Sequence, residues 1–332
     1  MESSTAARRR ARRFPLRPLM YTALACVAIA GVTAGGTVYV KAQAHSGGGT
    51  VSSAPVPSFS SSPAAATEEA AAMSEPVVDF DGRLSDAMKA VRVTGDEKVS
   101  AAVLDLESGD SAVFGDGAFD TASIVKVDIL AALLLRHQEA GTRLSAREKA
   151  YATTMIENSD NASASALWDI IGKASGLDAA NKKFGLTGTE GGDGALWGLT
   201  QTTAADQLTL LQQVFGDDSE LSEASRSYLQ GLMGRIEADQ HWGVSAAADG
   251  SGWALKNGWL PRSTTGLWDV NSIGRVTVDG HAYLVAVLSK GNSTQAKGIS
   301  LVEAAAKAAV SVFTGEDASA SASANATSAA AR

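Results

Sequence analysis

The sequence predicts an α+β fold: an antiparallel five-stranded sheet with flanking terminal helices, beside an all-helical subdomain. Three observations predict it. Strand-like segments occur as a pair near residue 100 and as a trio after residue 250. The long stretch between them has only helical spacing. A helical segment precedes the first strand, and another follows the last. Strands gathered on either side of a helical insert join most simply into one sheet, with the insert as a separate layer.

The elements follow in order. Phe80 to Val91 carries Leu84, Met88 and Val91 at helical spacing. Val99 to Leu106 reads as a strand, Ser108-Gly109-Asp110 as a turn, and Ser111 to Phe114 as the returning arm. From Ser123 to Glu139 the pattern is helical and apolar nearly all round, the mark of a helix in the middle of a domain. Further helices are expected at about 145–157, 162–173, 177–183, 202–215 and 220–234. Trp253 to Lys256, Gly266 to Val278 and Ala282 to Ser289 read as strands, with Asp279-Gly280 as a hairpin turn. A last helix is expected from about Ser293 to Phe313.

The chain has 332 residues, with 28 Lys and Arg against 36 Asp and Glu. The charge is uneven. Residues 1–45 hold seven cationic residues against Glu2 alone, which leaves 21 basic and 35 acidic residues for the rest. So acidic a body excludes nucleic acid as a partner, because phosphate recognition needs a positive face. The single cysteine, Cys26, excludes an intramolecular disulfide and a multi-cysteine zinc site. The four histidines form no H-x-x-x-H pair, so the commoner zinc-hydrolase patterns are absent. Neither a cofactor nor a metal is expected.

The ends carry a different message. Residues 1–18 form a basic segment expected on the cytoplasmic side. Residues 19–40 are apolar and long enough to cross a bilayer as a helix. Two readings stand: a transmembrane anchor, or a signal peptide cleaved after Ala44 at the small-x-small sequence Ala42-Gln43-Ala44. The first gives a single-pass cell-membrane protein with an extracytoplasmic domain, the second a secreted one. Residues 41–75 are a linker rich in Ser, Pro and Ala, and residues 316–332 are an Ala/Ser tail without apolar periodicity. The folded domain is therefore expected at 76–315, and as a monomer.

Three short motifs carry chemistry. In Ser123-Ile124-Val125-Lys126, three-residue spacing on a helix puts Ser and Lys on one face. Apolar neighbours disfavour the ammonium form of Lys126, and a neutral lysine can take a proton from a hydroxyl. The plain structural explanation is a helix-capping serine and a lysine whose amine reaches out to water. Ser159-Asp160-Asn161 lies between two helical patterns. Its hydroxyl can relay a proton and its carboxamide can bind a substrate amide, but Ser, Asp and Asn are also ordinary helix caps. Lys256-Asn257-Gly258 ends an apolar strand. Its lysine can attract a carboxylate and its glycine lets a substrate approach the backbone; the plain explanation is a polar turn.

Each motif alone is common. Together, in the order S-x-x-K, S-D-N, K-x-G, and on a helix start, an interhelical loop and a strand, they resemble the set of the class A serine β-lactamases and the penicillin-binding DD-peptidases. Gln240-His241-Trp242-Gly243-Val244 resembles the family's segment before its third motif. Phe184-Gly185-Leu186 and Thr202-Thr203-Ala204-Ala205-Asp206 resemble the flanks of its Ω-loop. The resemblance implies a β-lactamase-like fold over 76–315. By the same resemblance Ser123 is the nucleophile, Lys126 a base or relay, and Ser159 the donor to the leaving nitrogen. Asn161, Lys256, Asn257 and Gly258 hold the substrate, and the backbone N–H groups of Ser123 and Trp259 form the oxyanion hole.

Two departures stand out. The Ω-loop of the family carries a glutamate in E-x-x-L-N that activates water for deacylation. Here the stretch between Thr189 and Thr200 looks about nine residues short, lacks that pattern, and offers only Glu190 and Asp193 as acids. Slow deacylation is expected. The third motif has Asn257 where the family has Thr or Ser, followed by a bulky Trp259 expected to narrow the cleft. Asp128, two residues after Lys126, should point away from it, towards an unknown partner. The resulting expectation is an exported serine hydrolase forming an acyl-enzyme on Ser123 with a β-lactam or a D-alanyl-type peptide amide. The alternative is a non-catalytic wall- or ligand-binding module on the same fold.

Overall fold

The computed structural model describes residues 78–315. The basic segment, the apolar run 19–40, the linker and the Ala/Ser tail lie outside the described residues.

The chain opens with helix α1 (Phe80–Met88), strand β1 (Lys98–Asp105) and strand β2 (Ser111–Phe114). A short strand β3 (Phe119–Asp120) leads into helix α2 (Val125–Glu139). The helical block continues with α3 (Ala146–Glu157), α4 (Asn161–Ile171) and α5 (Lys173–Phe184). After strand β4 (Gln201–Thr202) come α6 (Ala204–Phe215) and α7 (Glu223–Met233). Strands β5 (Trp253–Pro261), β6 (Trp268–Val278) and β7 (His281–Asn292) precede the last helix, α8 (Gln295–Thr314). The main sheet has the order β2-β1-β7-β6-β5, with every neighbouring pair antiparallel; β3 and β4 form a separate two-stranded ladder.

The pleat explains the three layers. Ala101 and Val103 of β1, with Val285 and Val287 of β7, face α1 and α8. Ala102 and Leu104, with Leu284, Ala286 and Leu288, face the helical block. Strand β7 is central and covered on both faces, which is why Tyr283 to Leu288 reads as an unbroken apolar run rather than an alternation. Helix α2 is buried from Val125 to Leu135, as its all-round hydrophobicity predicts.

Some boundaries differ from the sequence reading. Helix α5 begins at Lys173, well before 177. Gly172, at φ +98°, breaks α4 from α5 in one residue, and a Cβ on Gly176 would stand 1.8 Å from the Ile171 carbonyl oxygen. Two glycines in one turn hide a helix from propensity. Strand β5 does not end at Lys256; it runs on to Pro261, so the third motif lies inside a strand. The Asp279-Gly280 turn has positive φ at both residues, as a tight hairpin of this twist requires.

Candidate active site

The nucleophile candidate sits on a strained turn. Ala122–Ile124 form a single 3-10 turn ahead of α2, and Ala122 adopts φ +48°. Left-handed backbone in a residue with a Cβ costs energy and persists only where the surroundings enforce it. The turn leaves Ser123 half-exposed between buried Ala122 and Ile124. The plain explanation of Ser123 as a helix-capping serine needs correction. Neither the 3-10 turn nor α2 has a side-chain cap, and Thr121 Oγ1 is buried without a partner. Ser123 is thus not engaged as a cap.

Lys126, one turn on, is 0% exposed and does not reach out to water. Its Nζ lies 2.7 Å from the Ser159 carbonyl oxygen, 2.8 Å from Asn161 Oδ1 and 3.0 Å from Ser159 Oγ. Ser159 is set by the loop between α3 and α4, where it holds φ +55°. The capping in this motif belongs to Asp160, whose carboxylate accepts the Ser163 N–H at 2.7 Å. Ser159 and Asn161 on either side are left to face the lysine. Asn161 is exposed, and its side-chain oxygen is held by Lys126.

From the far side, β5 delivers Lys256. It too is 0% exposed, and its Nζ donates to Ser159 Oγ at 3.1 Å and to the Asn257 carbonyl at 3.0 Å. The Ser159 hydroxyl therefore bridges two buried amines contributed by different layers. Gln240 Oε1 is a further acceptor for Lys256 at 3.4 Å. Gly258 lies against the serine turn: a Cβ there would stand 2.7 Å from the Ser123 nitrogen and 2.8 Å from both the Ile124 nitrogen and the Thr121 oxygen. Only glycine lets β5 approach the Ser123 N–H so closely. This contact brings the strand that continues into Trp259 against the proposed oxyanion hole.

Two expectations for this strand are corrected. Asn257 is 0% exposed; its amide donates to the carbonyls of Gln240 and Trp242 at 2.8 and 3.0 Å, so it holds the preceding segment rather than a substrate. Strand alternation puts Trp259 on the face of Leu255 and Asn257, opposite Lys256 and Gly258. Its ring packs with Trp242 at 5.8 Å between centroids, so it does not narrow the cleft beside Ser123.

Burial sets the proton affinities. Desolvation lowers the Lys126 pKa to about 7, against a smaller upward pull from the Asp160 carboxylate. Lys256 is driven well below the ordinary lysine range by burial and then by the charge of Lys126. Two cations sharing one hydroxyl in a dry site repel each other, so a proton on one amine weakens the hold of the other on its own.

The loop between α5 and β4 is tied at several points. The Asp206 carboxylate accepts the Gly188 N–H, Asp178 accepts the Gly191 N–H, and Trp168 Nε1 donates to the Gly194 carbonyl, each at 2.8 Å. Glu190 and Asp193 are both exposed, and neither carboxylate is among the partners of Lys126, Ser159 or Lys256. Glu190 instead uses its backbone to bridge Gln201. Trp197, on the same loop, lies with its ring centroid 5.0 Å from Lys126 Nζ. The motif reading assigned Trp197 and Gln240 no role. Gln240 lies in the segment Gln240-His241-Trp242-Gly243-Val244 ahead of the third motif, but nothing local to Trp197 signals its approach to a lysine 71 positions away. Asp128 does point away from Lys126: its Oδ2 accepts the Asn181 side-chain amide at 3.0 Å.

A sheet covered by helices on both faces, with paired lysines meeting at a serine in the cleft, defines the serine β-lactamase and penicillin-binding class of fold. Residues 134–313 match the beta-lactamase enzyme family, and the chain belongs to that family. The match begins after Ser123 and Lys126, so the placement of those two residues rests on the geometry above. Among solved structures, a beta lactamase from Xanthomonas campestris pv. campestris is 20% identical with a TM-score of 0.56, over 71% of this chain and 97% of that one. PBP-A is 21% identical with a TM-score of 0.59, over 70% and 96% of the two chains. The TLA-1 extended-spectrum beta-lactamase is 16% identical with a TM-score of 0.61, over 70% and 98%. At these identities the likeness is one of fold. No curated protein sequence matches the chain.

Proposed function

We propose that this family member is an exported serine hydrolase that forms an acyl-enzyme on Ser123 with a β-lactam or a D-alanyl-type peptide amide, and releases it slowly. The observation that carries the reading is Ser159 Oγ, held 3.0 Å from Lys126 Nζ and 3.1 Å from Lys256 Nζ. A neutral Lys126 has two N–H donors, which the acceptor-only oxygens of Ser159 and Asn161 use. Its lone pair is then available to a hydroxyl. Ser123 Oγ attacks the carbonyl carbon and its proton passes to Lys126. The Lys126 ammonium so formed donates to Ser159 Oγ, and Ser159 passes its own proton to the departing nitrogen as the C–N bond breaks, with Lys126 returning a proton to Ser159. The Ser123 N–H, beside Gly258, meets the developing oxyanion together with the Trp259 N–H. With Lys126 neutral, the proton held by Lys256 gives the charge that attracts the substrate carboxylate, and Asn161 binds the side-chain amide.

Slow release follows from the partners of Lys126: they are two oxygens of Ser159 and one of Asn161, with no carboxylate to activate water. A variant of PBP-A is described as its acyl-enzyme complex with penicillin G, and the same adduct is proposed here. The basic segment 1–18 and apolar run 19–40 underlie the assignment to the outside of the membrane, anchored or secreted.

One observation favours the other reading, a ligand-binding module without turnover. All three hydrogen-bonding directions of Lys126 go to the second motif and none to Ser123 Oγ. Incubation with a labelled penicillin, followed by intact mass, separates the two. A persistent adduct, lost in Ser123→Ala, supports the acyl-enzyme. Rapid turnover means that another base serves deacylation, and no adduct from any β-lactam or acyl-D-alanine ester favours the binding module.

A further inference from the structure

The loop from Leu186 to Thr200 places an indole where it bears on the fate of an acyl group. Trp197 is half-buried, and its Nε1 donates to Ser165 Oγ on α4 at 3.1 Å. Its ring lies over Lys126 Nζ at 5.0 Å, within cation–π range. The next residue, Gly198, approaches the residue before the nucleophile: a Cβ there would stand 3.9 Å from Ala122 Cα. The loop thus touches both the serine turn and the lysine. Its backbone is also anchored at Gly192, whose N–H donates to Thr200 Oγ1 at 3.1 Å. The indole is held, not swinging.

The chemistry of that position is specific. Hydrolysis of an ester on Ser123 requires a water whose oxygen bonds to the carbonyl carbon while the C–Oγ bond breaks. One water proton must end on Oγ, and a nearby base must carry it. Lys126 has Ser159 and Asn161 on its polar side; the ring covers it from the loop side. An aromatic face attracts an ammonium but offers no lone pair for a water proton, and its bulk takes the volume a water would need.

Resting on the acyl-enzyme reading, we propose that Trp197 is a water-excluding wall over Lys126 that prolongs the life of the adduct on Ser123. It touches no reacting bond; it acts through what it keeps out.

Two measurements on the full chain test this, with Trp197→Ala and Trp197→Phe. The first needs no acylation by substrate. Brief acetic anhydride labelling is read by peptide mass, with exposed Lys89 as internal standard. Lys126 should stay unlabelled in the native protein and in Trp197→Phe and become labelled in Trp197→Ala, where folding is checked by an unchanged circular dichroism spectrum. Equal protection in all three overturns the wall. The second follows the penicillin adduct. Measured on the alkaline plateau, where Lys126 is neutral in every variant, Trp197→Ala should shorten its lifetime about tenfold, one decade in rate, at an unchanged acylation rate, and Trp197→Phe should largely restore it. A lifetime unmoved by Trp197→Ala overturns the proposal. Acylation and release altered together point to mere structural damage and also overturn it. If Lys126 becomes labelled in Trp197→Ala but no protein forms an adduct, the shielding stands and the acyl-enzyme reading is what fails.

Discussion

At Ser159 one hydroxyl oxygen serves two amines, and the pH response of the site follows from which of them holds a proton. Burial holds Lys126 at about 7, so the fraction able to accept a proton rises with pH and is half-complete near neutrality. The single-turnover acylation rate should climb through that range and level off above it. Asp160 supplies the opposing upward pull on Lys126 while capping α4. Asp160→Asn keeps a good cap and removes the charge, so the acid limb should move to lower pH with little loss of stability. Stopped-flow acylation across pH checks both, and an unmoved limb would show that a different group sets it. The identities of these residues were legible in the sequence as three motifs. Their partners were not: whether Ser123 caps a helix and whether Lys126 reaches water depend on a strained Ala122 and on the layers closing over α2.

Between α2 and α5 lies a second buried titratable group. Asp128 Oδ1 and Asn181 Oδ1 are both buried and unpartnered, while Asn181 donates to Asp128 Oδ2. One proton on Asp128 Oδ1 satisfies both orphans as a paired acid and amide. Burial, with Asp178 and Asp206 nearby, raises the Asp128 pKa to about 7 from an ordinary 3.8, against the downward pull of Asn181. The folded state thus keeps a proton that the unfolded chain releases above 3.8. The associated stability is complete below that value and is lost as pH rises through about 7. Across the window the loss is about 1.4 kcal/mol per pH unit for such a group. Asp128→Asn keeps the shape and pairs amide with amide. It should raise the melting temperature at pH 8 relative to the native chain and flatten the pH dependence between 4 and 7. Thermal melts across pH measure this, and a lower stability at pH 8 would contradict it. The sequence showed Asp128 as an oddity inside an apolar helix. Its partner, 53 positions away on α5, could not be read because it depends on how the two helices pack, which local spacing does not record.

At the scale of the molecule, the sheet and the helical block share one core. Ala102, Leu104, Leu284 and Ala286 of the sheet belong to the same buried cluster as α2, α4 and α6, and Lys256 of the sheet meets Ser159 of the helical block. With no apolar seam to part along, the two layers should unfold together. Far-ultraviolet circular dichroism and tryptophan fluorescence should give coincident transitions; separated ones would mean that the helical block melts alone. The sequence by itself determined the fold class, the order of the helices and of the five strands of the main sheet, and the motifs on which the proposed chemistry rests, because helical and strand periodicity and short motifs are local properties of the chain. Only the tertiary structure decided that Lys256 meets Ser159, that Asn257 is sealed away from a substrate, and that Trp197 lies over Lys126. Those facts depend on strand register and on a loop crossing the end of another element, and such contacts between distant segments form only when the layers close together and exclude water from the groups between them.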